Sequence, residues 1–447
     1  MIAREAALLL ILAALLPAAW FETAWRDLGD APQTVYQSGV PHTSATGAAM
    51  RDYAIGRSFF PVGLYHALTG SWHGRSYDLG AIAAAGFNTV HTWERQPLAD
   101  VAAAALAAHL QVVYHDPDPV EAARLSGHPA ILSWYLDEEP GVWFSQAEQA
   151  ARREAFAHRR ETLRRSDPDR PVHIVASTPG RFADWDAWLA AGDVAAFSVY
   201  PVRAAGALRL SGPRALADTV ARAVARADGA KPVWFVAQAF ASPALGWRMP
   251  SPAEYRTMVY AAIVHGATGV ITFAYDSFVT RDGQVLGIAP EPAAGFGDIP
   301  DYDGRGDAPL TADEDAQAAS RALWNGVVAV NRELAALTPA LLSPTARLPY
   351  RVSVRGLSDV ATPVRTMLKR DADGFVLIVV NLGDSALDVR FAFDGRVSGL
   401  RRAFAADGSP APDPVGQGWQ TRLGGFATQI FRFDVAAPGA VPAGPGA

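Results

Sequence analysis

The sequence predicts a (β/α)8 barrel followed by a small all-β sandwich. Short apolar runs rich in β-formers alternate with Ala-rich amphipathic runs from residue 59 onward. Eight such units fill about 280 residues, the usual size of a closed (β/α)8 barrel. From Ala346 the helical period stops, and short strand-like runs separated by turns take over. Alternation of strand and helix implies parallel βαβ units. No G-x-G-x-x-G follows the first strand, which weakens an open dinucleotide-binding sheet.

The chain of 447 residues begins with a wholly apolar run over residues 6–21, AALLLILAALLPAAWF, behind Arg4. The run is short for a membrane span and is broken by Pro17, so residues 1–24 read as a secretory signal peptide or an uncleaved N-terminal anchor. Export to the periplasm or the medium is the expectation, with no other membrane domain. Residues 25–57 are polar and read as irregular. The strands then expected are Phe59–His66, Phe87–Trp93, Leu110–His115, Ile131–Asp137, Val172–Ser177, Val194–Tyr200, Val233–Phe240 and Gly269–Tyr275. Helical pattern lies between them, as at Leu98–His109, Ala147–Arg165, Pro213–Ala227 and Pro252–His265, and a last helix is expected over Asp313–Leu337. Gly86, Gly266 and Gly269 punctuate helix-to-strand returns. The barrel is thus expected over 58–343 and the sandwich over 346–436, with turns at Asp371–Gly374, Leu382–Ser385 and Asp407–Ser409. Residues 437–447 are a Pro/Gly/Ala tail.

Composition removes several classes of function. Net charge is −6 with no long basic run, which argues against nucleic acid as a partner. No Cys is present, so disulfides, thiolate metal sites and Cys nucleophiles are excluded. The serine elbow G-x-S-x-G and the P-loop are both absent. His91, His115 and Asp116 lack the spacing of a metal motif and read as hydrogen-bonding groups, so neither metal nor cofactor is expected. Trp134 and Trp234 fall in mid-strand and read as packing, and Trp247 is compatible with a core position. His173 and His265 read as structural. The acidic stretch Glu291–Asp307 lacks the EF-hand pattern.

In such barrels chemistry sits where the strands end at their C-terminal face. Those ends collect Tyr65 and His66; His91, Trp93 and Glu94; His115 and Asp116; Asp137, Glu138 and Glu139; Ser177; Tyr200; Gln238; and Tyr275 with Asp276. Acids, imidazoles and rings at one end fit sugar binding, because pyranose C–H faces stack on aromatic rings and hydroxyls need paired donors and acceptors. Acetal cleavage needs a protonated carboxylic acid at the leaving oxygen and a second carboxylate as nucleophile or base. The expected catalytic set is Glu139, Glu138, Asp116 and Asp276. His66, Trp93, His115, Asp137, Tyr200, Gln238 and Tyr275 are expected to line the cleft. In a regular strand Glu138 and Glu139 would point to opposite faces.

Three segments carry a resemblance. Glu138-Glu139-Pro140 is similar to the strand-four Asn-Glu-Pro of the clan A glycoside hydrolases, particularly the β-galactosidase-like and cellulase-like branches. SVYP at Ser198–Pro201 resembles their strand six, and His265–Ser277 their strand eight. The resemblance covers about residues 59–435 and implies a (β/α)8 barrel acting on an oligo- or polysaccharide. It implies Glu139 as acid/base, with Glu138 in place of the Asn. Tyr200 takes the place of the tyrosine supporting the nucleophile, and Tyr275 that of a stacking Trp. The nucleophile, a Glu ending strand seven in that clan, is Gln238 here. An amide cannot form a glycosyl ester. Three routes stay open: an inverting hydrolase whose base is Asp116, Asp276 or Asp137; substrate assistance with Gln238 orienting the substrate's own group; or a barrel that binds glycans without turnover.

Overall fold

A computed structural model describes residues 24–30, 42–43, 49–50, 59–65, 71–72, 75–92, 97–177, 182–206, 208–212, 214–229, 231–275, 287–289, 313–343, 345–346, 348–405 and 411–436. They fall into two compact units, Val35–Pro344 and a second made of Met1–Thr34 with Thr345–Ala447.

The first unit is a closed barrel of eight parallel strands. They are β1 (Val62–Tyr65), β2 (Thr89–His91), β3 (Gln111–His115), β4 (Ile131–Glu138), β5 (Val172–Ala176), β6 (Ala195–Val199), β7 (Val233–Gln238) and β8 (Gly269–Phe273). Each pairs with its sequence neighbour, and β8 closes on β1. Helices follow the strands: α1 (Leu79–Ala84), α2 (Leu98–Ala107), α3 (Pro119–Arg124), α4 (Gln146–Ser166), α5 (Phe182–Ala191), α6 (Leu216–Ala227), α7 (Pro252–Val264) and α8 (Glu314–Leu342). Local sequence fixes several helix starts. Ser145 with Glu148, and Ser251 with Glu254, form capping boxes on α4 and α7. Asp118 and Asp313 cap α3 and α8. The last helix runs past the expected Leu337, through Pro339, because buried Leu337, Ala340 and Leu341 hold its final turns.

The barrel interior is filled by Val113, Leu132, Tyr135, Val175, Ala196, Trp234, Val236 and Ile271, among others. Trp234 leaves no room for a side chain on the facing strand: a Cβ on Gly269 would lie 2.8 Å from its Cδ1. Among these strands β4 is irregular. Its pairing with β5 steps from Tyr135–His173 to Glu138–Val175, three residues on β4 against two on β5. That bulge returns Glu138 to the face that Tyr135 occupies.

The second unit holds two antiparallel sheets, with strand orders 26–30, 350–355, 387–393, 418–423, 413–415 and 364–371, 374–381, 428–436, 396–403. Residues from both sheets share one core around Trp419, Phe391, Phe393, Phe431 and Phe433, which makes the unit a sandwich. Residues 25–57, expected to be irregular, include Arg26–Asp30, an edge strand antiparallel to Tyr350–Arg355.

Candidate active site

Glu138 and Glu139 both face the mouth of the barrel, against the expectation from simple alternation. The bulge turns Glu138 inward. Glu139 adopts a left-handed backbone, φ 45° and ψ 46°, while its N–H donates to the Val175 carbonyl at 2.8 Å. That conformation costs a non-glycine residue about 1 kcal/mol or more, and such strain collects at functional sites. Pro140 follows and opens the short helix Pro140–Trp143. The turn carries the Glu139 carboxyl across to β6, where the Ser198 hydroxyl donates to its Oε1. Ser198 lies two residues beyond Ala196 of the barrel interior and so shares its inward face.

A carboxyl beside another in a poorly solvated mouth holds its proton more tightly. Burial pushes Glu138 up to about 8, and the charge of Glu139 adds to the shift. Hydrogen bonding with the Tyr65 and Tyr135 hydroxyls opposes it. Tyr65 also donates to Tyr135 at 2.9 Å, so the two phenols and Glu138 form one cluster. Burial raises Glu139 as well, opposed by the Ser198 hydroxyl. Both carboxyls nevertheless keep part of their surface accessible. Imidazoles surround the phenols. His91 stacks on Tyr65 at 3.8 Å between ring centres, and His91, His115 and His173 stand 4.4, 5.1 and 5.7 Å from Tyr135. Burial lowers His173 to about 3, so its ring is neutral in the barrel floor.

An aromatic wall stands over the ends of β6, β7 and β8. Phe273 packs against Tyr65 at 5.1 Å, Tyr200 at 5.9 Å and Phe240 at 5.3 Å. Trp247 joins Tyr200 at 5.8 Å and Phe240 at 5.6 Å, and the Arg203 guanidinium lies over its ring at 4.6 Å. Tyr200, Trp247 and Phe273 are all partly accessible.

Other expected site residues have different surroundings. Gln238 is fully buried. Its Oε1 accepts from the Val202 N–H at 2.9 Å, and its Nε2 donates to the carbonyls of Val202, Arg248 and Phe240 at 3.0, 3.2 and 3.5 Å. The expected sugar contact is therefore replaced by a tie between the segments after β6 and β7. Three carbonyls and one N–H suit an amide and would repel a carboxylate. Gln238→Leu strands those backbone groups, and we expect a loss of about 3 kcal/mol of unfolding free energy in urea titration. Gln238→Glu should be no more stable and no more active. Asp116 pairs with Arg159 of α4, and Asp137 with Arg152 of α4 at 3.4 Å. Asp137 also accepts the Glu138 N–H at 3.0 Å, which makes it a brace for the strand end. Tyr275 packs with Tyr77 and with Trp324 of α8, at 5.7 and 5.8 Å, so Phe273 rather than Tyr275 belongs to the aromatic wall. His66, Trp93 and Asp276 lie outside the described residues, as does Glu291–Asp307. Among the described residues no three His, Asp or Glu side chains converge as metal ligands would.

Sequence reasoning missed Ser198 as a partner of Glu139, and the wall residues Phe240 and Phe273. Ser198 and Phe273 stand on inward registers of strands six and eight, which was the available signal.

No family model and no curated protein matches the chain. Solved structures similar to it are glycoside hydrolases. An alpha-amylase from H. orenii has a TM-score of 0.46 at 9% identity, over 83% of this chain and 99% of that one. A family 39 glycoside hydrolase from Bacteroides cellulosilyticus WH2 has 0.47 at 11%, over 84% and 81%. A GH30 endoxylanase from Clostridium papyrosolvens C71 has 0.46 at 10%, over 91% and 100%.

Proposed function

We propose that this barrel hydrolyses a glycosidic bond in an oligo- or polysaccharide, with Glu139 as the general acid. One observation carries the reading. Two neighbouring carboxyls, both raised above the usual range, share the barrel mouth with a partly accessible aromatic wall. A carboxyl whose proton affinity is raised can protonate a leaving oxygen. The rings of Tyr200, Trp247 and Phe273 supply faces for a sugar. Trp247→Ala should therefore raise KM about tenfold with kcat little changed, a pattern that steady-state kinetics distinguishes from lost chemistry.

Gln238 leaves no carboxylate at the end of β7, so water is the nucleophile in this reading and the product anomer is inverted. Asp116 and Asp137 are engaged by arginines of α4. The proposed base is Asp276, which follows β8 in sequence, and β8 stands opposite β4 in a ring of eight. The apolar run over residues 6–21 supports export. Fractionation of cells making the full chain checks this, and a wholly cytosolic product would count against it. No helix among the described residues is long and apolar enough to cross a membrane.

The test is release of reducing ends from a panel of plant and bacterial glycans, and release from at least one is expected. The amide-shaped pocket at Gln238 favours one second reading, a barrel that binds glycans without cleaving them. Binding to a glycan with no release from any would support that instead.

A further inference from the structure

We propose that Glu138 stays a neutral carboxylic acid through turnover and donates a hydrogen bond in the mouth, leaving Glu139 as the one carboxyl of the pair that gives and takes a proton. The inference rests on the proposed hydrolase reading for its kinetic arm only. Its basis is the arrangement of groups around Glu138. Tyr65 reaches it from β1 and Tyr135 from its own strand, both through hydroxyls. His91, His115 and His173 approach the two phenols from β2, β3 and β5. Asp137 and Glu139 flank it in sequence, and both raise its proton affinity. The guanidinium groups of Arg152 and Arg159 on α4 are engaged by Asp137 and Asp116. Phenols beside a second carboxyl are weak compensation for a half-buried anion, so the proton stays. With Tyr65 donating to Tyr135, and Tyr135 to Glu138, the Tyr65 oxygen is left to accept the acid proton of Glu138, a hydrogen bond that only the neutral acid can make. Glu139 has its own hydroxyl donor in Ser198 and is the better placed of the two to carry charge.

Glu138→Gln keeps the size, the neutrality and a donor, so it separates the two assignments. If Glu138 is neutral, the alkaline limb of the variant's pH–rate profile stays where the wild type's lies, whatever happens to kcat. If Glu138 is an anion at working pH, its removal takes a like charge from beside Glu139. The limb then falls by about one pH unit or more, which overturns the proposal.

Infrared difference spectra read the proton without turnover. The carboxylic-acid carbonyl band at pH 7 should be present in wild type and in Glu139→Gln, and should lose the share due to one carboxyl in Glu138→Gln. A band unchanged by Glu138→Gln overturns the proposal even if no glycan is cleaved. That loss of intensity in the variant upholds it even if the hydrolase reading fails. Thermal melting of both variants guards against misfolding.

Discussion

Glu139→Gln should lower turnover about 10³-fold while leaving the fold intact, within the usual range for a lost general acid. The amide keeps the shape of the carboxyl, so the left-handed backbone at residue 139 is no more strained than before. The Ser198 hydroxyl can still donate to the amide oxygen. Stability should therefore change little, and kcat should fall without a matching rise in KM, as for an interaction made only in the transition state. A companion change reports the same group through its partner. Ser198 stabilises the charged form of Glu139, so Ser198→Ala raises its proton affinity further. The alkaline limb of the pH–rate profile should move up, with activity retained. A limb that moves down, or Glu139→Gln retaining full turnover, would remove Glu139 from the acid role.

The second large effect is on stability. Glu138→Gln should stabilise the protein at pH 7 by about 2–3 kcal/mol and leave it nearly unchanged at pH 4. The folded state holds a proton on Glu138 up to about 8, whereas the unfolded chain releases it near the ordinary glutamate value of 4.5. Between those values folding must take up a proton, so the wild-type site loses stability as pH rises and regains it on acidification. A neutral amide has no such cost. Urea unfolding of both proteins at pH 4 and pH 7 measures the difference. A gain equal at both pH values would show that Glu138 carries no raised proton affinity. Destabilisation of this kind is common where a site is built for chemistry.

Much of the barrel was legible because its strands and helices differ in period. Seven of the eight runs from Phe59 to Tyr275 contain the strand found in the structure, the fourth, Ile131–Asp137, stops one residue short of Glu138, and the acids and rings do gather at the strand ends. What was hidden has a common cause. The bulge in β4 falls between Tyr135 and Glu138, where the mostly apolar run ILSWYL meets Asp137, so composition does not reveal it, yet it decides which carboxyl faces inward. The left-handed turn at Glu139 is set by the hydrogen bond to Val175 and by Ser198 on another strand. Gln238 reads the same whether its amide meets a sugar or a backbone. Only the carbonyls of Val202, Phe240 and Arg248, brought together by folding, distinguish the two. Arg26–Asp30, RDLGD, lacks the alternation of a buried strand, because an edge strand tolerates polar residues on both faces. Asp116 and Asp137 looked like cleft acids because the arginines that hold them lie a helix away in α4.

The most direct test of the account is the dependence of the Glu139→Gln defect on leaving group, measured with aryl glycosides of the sugar that the glycan panel identifies. A leaving phenol that needs no proton makes an acid dispensable. The defect should then be about 10³-fold for poor leaving groups and should shrink to a few-fold for a dinitrophenolate. A defect of the same size across the whole series would mean that Glu139 does not protonate the leaving oxygen, and the central assignment would be wrong.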